Sequence, residues 1–326
     1  MKKKDINPTI SSTSKPLAGR IKSVGVFKEF YTNRALYLMI IPALAVLVLF
    51  AYIPMYGIQV AFRNFNAADG ISGSPWVGLK NFIFFFKSIY FFRLTFNTLF
   101  LNILFLCANL IMQISTAILI NEIINKRFQK ILQTSMFFPY FLSWVVVSTL
   151  VNALLNNSYG ILNKILMIMG AEGVVWYKEP KYWPAILTFA NVWKNMGYGI
   201  VIYLAKITSI DPTMYEAARI DGANKAQEIF RITLPMLIPT VVLLLLLGIG
   251  NMFRGDFAMI YQLTGEGGIL QSTTDVIDTF VFRAMRVNGQ YGLSTAIGLY
   301  QSVMGFILVM VSNGLIKRYD KDMAIF

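Results

Sequence analysis

The sequence predicts an all-α protein, a polytopic bundle of six membrane-spanning helices with both termini in the cytoplasm. Hydrophobic residues make up 56% of the 326 residues and charged residues only 14%, whereas a soluble domain carries about a quarter charged residues. The apolar residues are concentrated in long runs, and roughly 20 mostly apolar residues cross a bilayer as a helix. The basic residues are distributed unequally between the two sides that six spans define.

Residues 1–34 are polar and basic, and we expect a cytoplasmic tail there, disordered in its Ser/Thr-rich part from Thr9 to Ser14. A signal peptide would place its apolar core nearer the start and follow it with a cleavage site. The first apolar run instead begins at Ala35 and continues to about Val60. We expect this run to remain as the first span of a membrane domain at 35–316, followed by a cytoplasmic tail at 317–326.

Five further apolar runs predict the remaining spans. They are 95–121, 131–155, 183–205, 236–263 and 293–316. About twice as many Lys and Arg residues fall in the proposed inside segments as in the outside loops. Because basic residues are enriched on the cytoplasmic side of membrane proteins, this bias predicts that both termini are cytoplasmic.

Two of the proposed outside segments combine aromatic and charged residues. The stretch from Asn81 to Leu94 is aromatic with interspersed Lys87 and Arg93, which favours a short helix at the membrane interface. Residues 156–181 carry aromatic residues and scattered charge, which suits an extracellular re-entrant or capping segment.

The composition also argues against several classes of function. The chain has no histidine and a single cysteine, Cys107, so it lacks the commonest general base and cannot build a disulfide or a cysteine metal cluster. We therefore expect no bound metal and no catalysis. The net charge of +13 is explained by basic residues that flank membrane spans, so we expect contact with membrane lipid and no binding of nucleic acid. The phosphate-binding pattern Gly-x-x-x-x-Gly-Lys-Ser/Thr is absent, so the chain is not itself an ATPase.

The loop between the fourth and fifth spans, residues 211–235, has clear local signals. Asp211 is a good N-cap and Pro212 fits the first position of a helix. Gly222 can end that helix in the left-handed conformation. A second helical stretch is expected from about Ala223 to Leu234, and Pro235 then marks the start of the fifth span.

The same loop resembles the signature cytoplasmic loop of binding-protein-dependent ABC importer permeases. The match consists of Glu216-Ala217-Ala218, a glycine at Gly222, and the later pattern Ile232-Thr-Leu234-Pro235. The resemblance implies a type I importer permease fold in a bacterial inner membrane, with the loop acting as a coupling element that docks into a cytoplasmic ATPase. The implied coupling residues are Glu216, Ala217, Ala218, Asp221, Gly222, Ile232, Leu234 and Pro235.

Weaker motifs elsewhere resemble the carbohydrate-uptake branch of that family, and within it the polysaccharide and lipoprotein-associated permeases. They are Tyr159-Gly160 with Asn163, Gly255-Asp256-Phe257, Thr274-Asp275 with Asp278-Thr279, and Gly298 with Gln301-Ser302. The resemblance implies a sugar or oligosaccharide as cargo. It also implies a second related permease in a heterodimer, two ATPase subunits that use ATP while this chain binds no cofactor, and an extracytoplasmic sugar-binding protein.

Polar residues within the predicted spans are candidates for the substrate path. Arg254 and Asp256 fall inside the predicted fifth span, where ionisable groups are costly and need a partner or a wet cavity. They could contact sugar hydroxyls, or pair with each other, or sit at the outer interface. The amide candidates Asn109, Asn195 and Asn251 could serve the path or simply join helices by hydrogen bonds. For Lys194 we expect snorkelling or contact with a partner subunit.

Two rival functions remain to be compared with the permease interpretation. A membrane-embedded transferase would need clustered carboxylates at one membrane face, for which Asp275 and Asp278 are the main candidates. A self-contained secondary transporter would be expected to show internal repeats, and the sequence shows none.

Overall fold

The computed structural model describes residues 33–265, 267–320 and 324, and every regular element in these ranges is a helix. The predicted all-α fold is confirmed for that part of the chain. Most of the predicted N-terminal tail lies outside the described residues, and the C-terminal tail is described only to Asp320 and at Ala324. The chain divides into two units, residues 1–56 and 57–326.

The described part of the first unit, from residue 33, is mainly an exposed apolar helix. Helix α1 covers Arg34–Leu47 and continues through a π-helical turn at Val48–Tyr52 into a 3₁₀ helix at Ile53–Phe62, whose last residues belong to the second unit. Every residue from Arg34 to Tyr56 is exposed in the structure. A run of this length and hydropathy is long enough to cross a bilayer.

The second unit contains fourteen α-helices in the described ranges, with short 3₁₀ and π turns between some of them. They are α2 Gly70–Gly73, α3 Lys80–Lys87, α4 Tyr90–Asn121, α5 Lys126–Phe137, α6 Trp144–Leu155, α7 Ile161–Ile168, α8 Trp183–Thr208, α9 Pro212–Ile220, α10 Lys225–Glu228, α11 Leu234–Gly250, α12 Phe257–Thr264, α13 Gln271–Thr274, α14 Ile277–Arg286 and α15 Tyr291–Tyr319.

Four helices of the described chain are long and apolar enough to cross a membrane. They are Arg34–Phe62, Tyr90–Asn121, Lys225–Gly250 and Tyr291–Arg318. Three of them coincide with the predicted first, second and sixth spans. Helix α8, at the predicted fourth span, is 26 residues long but falls outside this set. Its polar residues, which include the buried Asn191 and Lys194, lower its hydropathy.

The predicted third span is not one straight helix. It is a bent pair, Lys126–Phe141 and Trp144–Leu155, whose axes differ by 102°. Pro139 lies in the 3₁₀ turn Phe138–Phe141 at the bend, and proline both lacks an N–H and disfavours a continuing α-helix. The Ser143 hydroxyl then accepts from the Val146 N–H and caps α6.

The fifth predicted span, 236–263, is also interrupted. Its helix ends at Gly250, and the chain passes through a turn at residues 251–256 before α12 begins at Phe257. The expectation that Arg254 and Asp256 lie inside a continuous spanning helix is therefore wrong. Gly250 directly precedes this turn and Gly255 lies within it, and glycine weakens a helix at such positions.

The predicted interfacial helix from Asn81 to Leu94 is likewise divided. Helix α3 ends at Lys87, and α4 starts at Tyr90. Ser88 separates them in an extended conformation, and its hydroxyl accepts from the Tyr90 N–H. A side chain that competes for backbone donors in this way breaks a helix.

Helices α4 and α8 pack against each other along most of their length and form the centre of the second unit. Gly199 of α8 allows this close packing against α4, and Gly197 allows α8 to pack closely against α5. A Cβ on Gly197 would lie 2.3 Å from the Met136 carbonyl oxygen, and one on Gly199 would lie 2.0 Å from Oε1 of Gln113. Small residues at helix contacts bring backbones together in membrane proteins.

Candidate functional site

The 211–235 loop begins with the short helix α9, as its local signals predict. The Asp211 carboxylate accepts from the Thr213 N–H at 3.0 Å, and Pro212 occupies the first helical position. This hydrogen bond to the ionised form lowers the pKa of Asp211. Gly222 ends the helix with φ of +80°, in the left-handed region that favours glycine. The predicted bend at Gly222 is confirmed.

The second part of the loop differs from expectation. Asn224 and Gln227 form a reciprocal capping box, so the next helix starts at Lys225. It then runs without interruption to Gly250, with a π-helical turn at Ile229–Thr233. The prediction of a separate helix that ends at Leu234 is wrong, because Pro235 lies within one continuous helix, just after the π-helical turn.

The surface of α9 is largely free within the described chain. Glu216, Ala217, Asp221 and Gly222 are exposed, as is Pro235, while Ala218, Ile232 and Leu234 are half-buried. Ile220, the last residue of α9, is 86% exposed. Five of the eight predicted coupling residues are therefore accessible in the described chain, and the other three are partly covered.

An ionic cluster that the sequence analysis missed connects α9 to two long helices. Glu228 is 3% exposed and accepts from the Arg219 guanidinium at 2.7 Å. Lys225 lies 3.1 Å from Glu228 and 2.9 Å from Glu122, at the end of α4. The hydrogen bond to Glu228 raises the pKa of Arg219, which therefore stays charged. The ring hydroxyl of Tyr215 and the Thr233 hydroxyl, 3.0 Å apart, add a second link.

A concave cavity of about 430 Å³ lies between α4, α8, α11 and the turn at 251–256. Four of the five predicted path residues line it, namely Asn109, Asn251, Arg254 and Asp256. Its other polar lining side chains are Asn102, Gln113, Asn191 and Tyr203.

The amides of the cavity form a connected chain. Asn109 donates to Asn191 at 2.7 Å, and Gln113 donates to Asn109 at 3.2 Å. Asn195 lies outside the cavity lining, and its side chain donates to the Asn191 carbonyl within α8. Helix–helix hydrogen bonding therefore accounts for part of this amide stripe, while Asn102 and Asn251 also face the cavity.

Side chains from three helices satisfy the backbone of the 251–256 turn. Asn102 of α4 donates to the Met252 and Arg254 carbonyls at 3.0 and 3.1 Å. Gln301 of α15 donates to the Phe253 carbonyl at 2.9 Å, and Asp278 accepts from the Gly255 N–H. Non-helical backbone at membrane depth is stable only when such partners replace water.

The charged groups of this turn differ in their contacts. Asp256 caps α12 by accepting from the Met259 N–H at 3.0 Å. Arg254 is exposed, and among the described residues no carboxylate forms an ion pair with it within 4.0 Å. Arg254 and Asp256 therefore do not pair with each other in the structure. Arg254 presents a guanidinium to the cavity with its donors available.

Lys194 also satisfies a backbone carbonyl, at the Phe138–Phe141 bend of the third predicted span. It is buried, and its ammonium donates to the Tyr140 carbonyl at 2.8 Å. The same nitrogen lies 5.3 Å and 5.4 Å from the ring centres of Tyr140 and Trp144, at cation–π distance. The expectation that Lys194 snorkels or meets a partner subunit is replaced by a structural role at the Phe138–Phe141 bend.

The two carboxylates considered for a transferase are both engaged in internal contacts. Asp275 accepts from Arg283 and Thr279, and Asp278 accepts from Gly255 and Gln301. In the described part of the chain, no cluster of three or more His, Cys, Asp or Glu could hold a metal ion.

Comparison with known proteins gives a consistent result. Residues 110–324 match the family "Binding-protein-dependent transport system inner membrane component". The polygalacturonan/rhamnogalacturonan transport system permease YteP of Bacillus subtilis (strain 168) is 37% identical over 89% of this chain and 90% of its own length. The protein LplB of the same strain is 33% identical over 92% of this chain and 94% of its own length.

A solved bacterial alginate ABC transporter, in complex with its alginate pentasaccharide-bound periplasmic protein, has the same fold. The superposition gives a TM-score of 0.83 at 33% identity and covers 91% of this chain and 98% of the other. The resemblance found in the loop motif is thus confirmed over most of the chain. The relatives are transport components, which removes the transferase alternative. This chain belongs to the family of binding-protein-dependent transport system inner membrane components, as a carbohydrate ABC importer permease of type I fold.

Proposed function

We propose that this chain forms the translocation path for an acidic oligosaccharide and couples it to partner ATPases through the 211–235 loop. The observation that carries the path is the cavity beside the 251–256 turn. Amide side chains can donate to and accept from sugar hydroxyls, and a free guanidinium is suited to bind a carboxylate. Arg254 supplies that group at the edge of the cavity, whose other charged lining residue, Asp256, is engaged in capping α12.

The cargo class has support from the relatives. The alginate transporter acts in the import of an acidic polysaccharide, and YteP belongs to a polygalacturonan/rhamnogalacturonan transport system. Alginate and polygalacturonan are both polymers that contain uronic acids. Among the described residues no carboxylate forms an ion pair with Arg254 within 4.0 Å, and such a cation fits cargo of that charge better than it fits a neutral sugar.

The coupling role rests on the contacts of α9. Arg219 holds Glu228, which lies in the continuous helix Lys225–Gly250, and Lys225 holds Glu122 at the end of α4. Both helices line the cavity. A displacement of α9 by a docked ATPase would therefore reach the cavity through two rigid helices and three ionic contacts. Ala217 and Ala218 permit close approach of such a partner, and Glu216 can pair with a basic residue across the interface.

In the proposed assembly this chain meets four kinds of partner. A second, related permease completes a heterodimer, two ATPase subunits hydrolyse ATP, an extracytoplasmic sugar-binding protein delivers cargo, and membrane lipid surrounds the spans. This chain itself binds no cofactor. The complex of the alginate transporter with a periplasmic protein supports, by analogy, the delivery of cargo by a binding protein. The exposed apolar helix Arg34–Phe62 suits lipid or a second permease.

We expect six spans with both termini in the cytoplasm of a bacterial cell. Reporters fused after Phe326 and inserted near Lys126 should both be inaccessible to an impermeant label added outside. A reporter inserted beside Gly170, in the proposed outer segment, should be labelled and serves as the control. Labelling of either of the first two in intact cells would contradict the six-span topology.

Arg254→Gln is expected to slow uptake of an acidic oligosaccharide about tenfold or more, because the variant removes the cavity guanidinium but keeps a polar side chain of similar reach. Initial uptake rates and substrate-stimulated ATP hydrolysis would be measured at equal expression. The matched control is Arg286→Gln, which removes an exposed arginine that lies outside the cavity lining. Equal rates for wild type and Arg254→Gln would remove Arg254 from the path.

A further inference from the structure

A second pocket, of about 380 Å³, lies at the opposite end of α4 from the 211–235 loop. It is formed by the α3–α4 junction, the start of α4, the end of α14 and the start of α15. Its polar lining includes Arg93, Arg283, Gln271 and Gln290, and its aromatic lining includes Tyr90 and Phe280. Arg93 and Glu122 sit near opposite ends of α4, roughly 44 Å apart at a rise of 1.5 Å per residue. The pocket is therefore remote from the 211–235 loop, and Arg93 lies about 14 Å along α4 from Asn102, which lines the central cavity.

The charges in this pocket do not balance. The Asp275 side chain is 1% exposed, and both its oxygens accept from Nη2 of Arg283, at 2.6 and 2.7 Å. Thr279 donates a further hydrogen bond at 2.7 Å. Arg93 approaches the same carboxylate only to 3.7 Å. Two guanidiniums thus share one carboxylate that is already well satisfied by the first, and no other carboxylate lines the pocket among the described residues.

Arg93 is left with unused hydrogen-bonding capacity. Its Nε is buried and has no hydrogen-bond partner in the described structure, and 37% of its side chain remains exposed. That nitrogen is enclosed by protein atoms, so a ligand would accept from the exposed part of the side chain, which lines the pocket. The guanidinium is held over the Tyr90 ring at 5.2 Å, and that ring packs on Phe280 at 5.7 Å.

The combination of groups identifies a class of ligand. A guanidinium can bind a carboxylate in bidentate fashion, aromatic rings offer apolar surface to the face of a pyranose, and the Gln271 and Gln290 amides can bind hydroxyls. Pockets of this size hold small ligands. A concave site of this kind fits a sugar acid better than the single acidic side chain of a protein partner.

We propose that this pocket is an outer binding site for a carboxylated sugar, with Arg93 as the group that recognises the carboxylate. The assignment to the outer side rests on the proposed function, because the coupling loop then defines the cytoplasmic end. Cargo would meet this site before the cavity that contains Arg254. Arg283 positions Asp275, and Asp275 in turn keeps Arg93 near the pocket.

The direct test measures binding of galacturonate and of galactose, its neutral analogue, to the permease–ATPase complex in lipid nanodiscs without the soluble binding protein. Arg254→Gln serves as the background, so that the central cavity contributes no guanidinium. We expect galacturonate to bind at least about tenfold more tightly than galactose. Arg93→Gln should abolish that preference, Arg93→Lys should retain part of it, and Lys87→Gln should leave it intact. Lys87 is exposed near the same end but does not line the pocket.

Absence of a galacturonate preference in this background would overturn the proposal, as would a preference that Arg93→Gln leaves unchanged. If Arg93→Gln instead weakens only association with the binding protein, the pocket holds an acidic protein side chain and the sugar assignment is wrong. If the preference depends on Arg93 but the wild-type complex does not take up oligogalacturonides, the outer site is supported and the proposed cargo is wrong. The two proposals therefore fail separately.

Discussion

Gly222→Val is expected to lower substrate-stimulated ATP hydrolysis and uptake about 5- to 30-fold, while the membrane helices still insert and fold. Gly222 has φ of +80°, and a Cβ there would meet no atom within 4 Å, so crowding plays no part. The cost arises from the left-handed backbone itself, roughly 1–2 kcal/mol for a residue with a side chain, and valine is stiffer than most. The loop should relieve this strain by turning α9 away from its present direction, and with it the exposed patch around Glu216.

The control for this substitution is Gly170→Val. Gly170 also has φ of +80° and open space around its Cβ position, but it follows α7, far along the chain from the 211–235 loop. Both variants carry the same backbone penalty. ATPase retention on the purified complex and coupled hydrolysis would be measured for each. Normal retention and coupling in Gly222→Val, or an equal loss in Gly170→Val, would contradict the coupling role of the loop.

Gly197→Leu is expected to prevent accumulation of folded protein. A Cβ at this position would lie 2.3 Å from the Met136 carbonyl oxygen and 2.5 Å from Cα of Phe137. Both are backbone atoms beside the bend of the third predicted span, so they cannot move aside as a flexible side chain would. Overpacking of this kind costs roughly 1–3 kcal/mol or more, and α8 would have to separate from the bend that Lys194 also secures.

The matched control is Gly314→Leu, on α15, where an added Cβ would have nothing within 4 Å. Yield of monodisperse protein in mild detergent and its midpoint of thermal aggregation would be compared. We expect Gly314→Leu to behave like wild type in both measurements. A Gly197→Leu protein with the wild-type midpoint would show that α8 and the bend are not packed as closely as the structure indicates.

Local signals in the sequence predicted the first part of the 211–235 loop well, because they depend on neighbouring residues. Asp211, Pro212 and Gly222 define a helix with its cap and its left-handed end, and each acts within one turn of the chain. The boundary near Pro235 was less predictable. Proline can begin a helix as well as follow one, and the capping box at Asn224 decided the outcome.

Path candidates were predicted from the cost of polar groups at membrane depth. That reasoning located Asn109, Asn251, Arg254 and Asp256, which line the cavity, but it could not separate them from Asn195, which does not. An amide that faces a cavity and one that donates to a carbonyl of its own helix look alike in sequence. The difference lies in which face of its helix each side chain occupies in the packed structure.

The sequence by itself determined the helical class, the positions of the long apolar runs and the shape of α9, since hydrophobic length and capping are properties of contiguous residues. Only the tertiary structure decided where the third and fifth runs break and which charges meet. The turn at 251–256 is stable because Asn102, Gln301 and Asp278 reach it from three other helices. The cluster around Glu228 likewise joins residues that are distant along the chain. Such contacts depend on helices meeting in space, which a pattern along one chain does not encode.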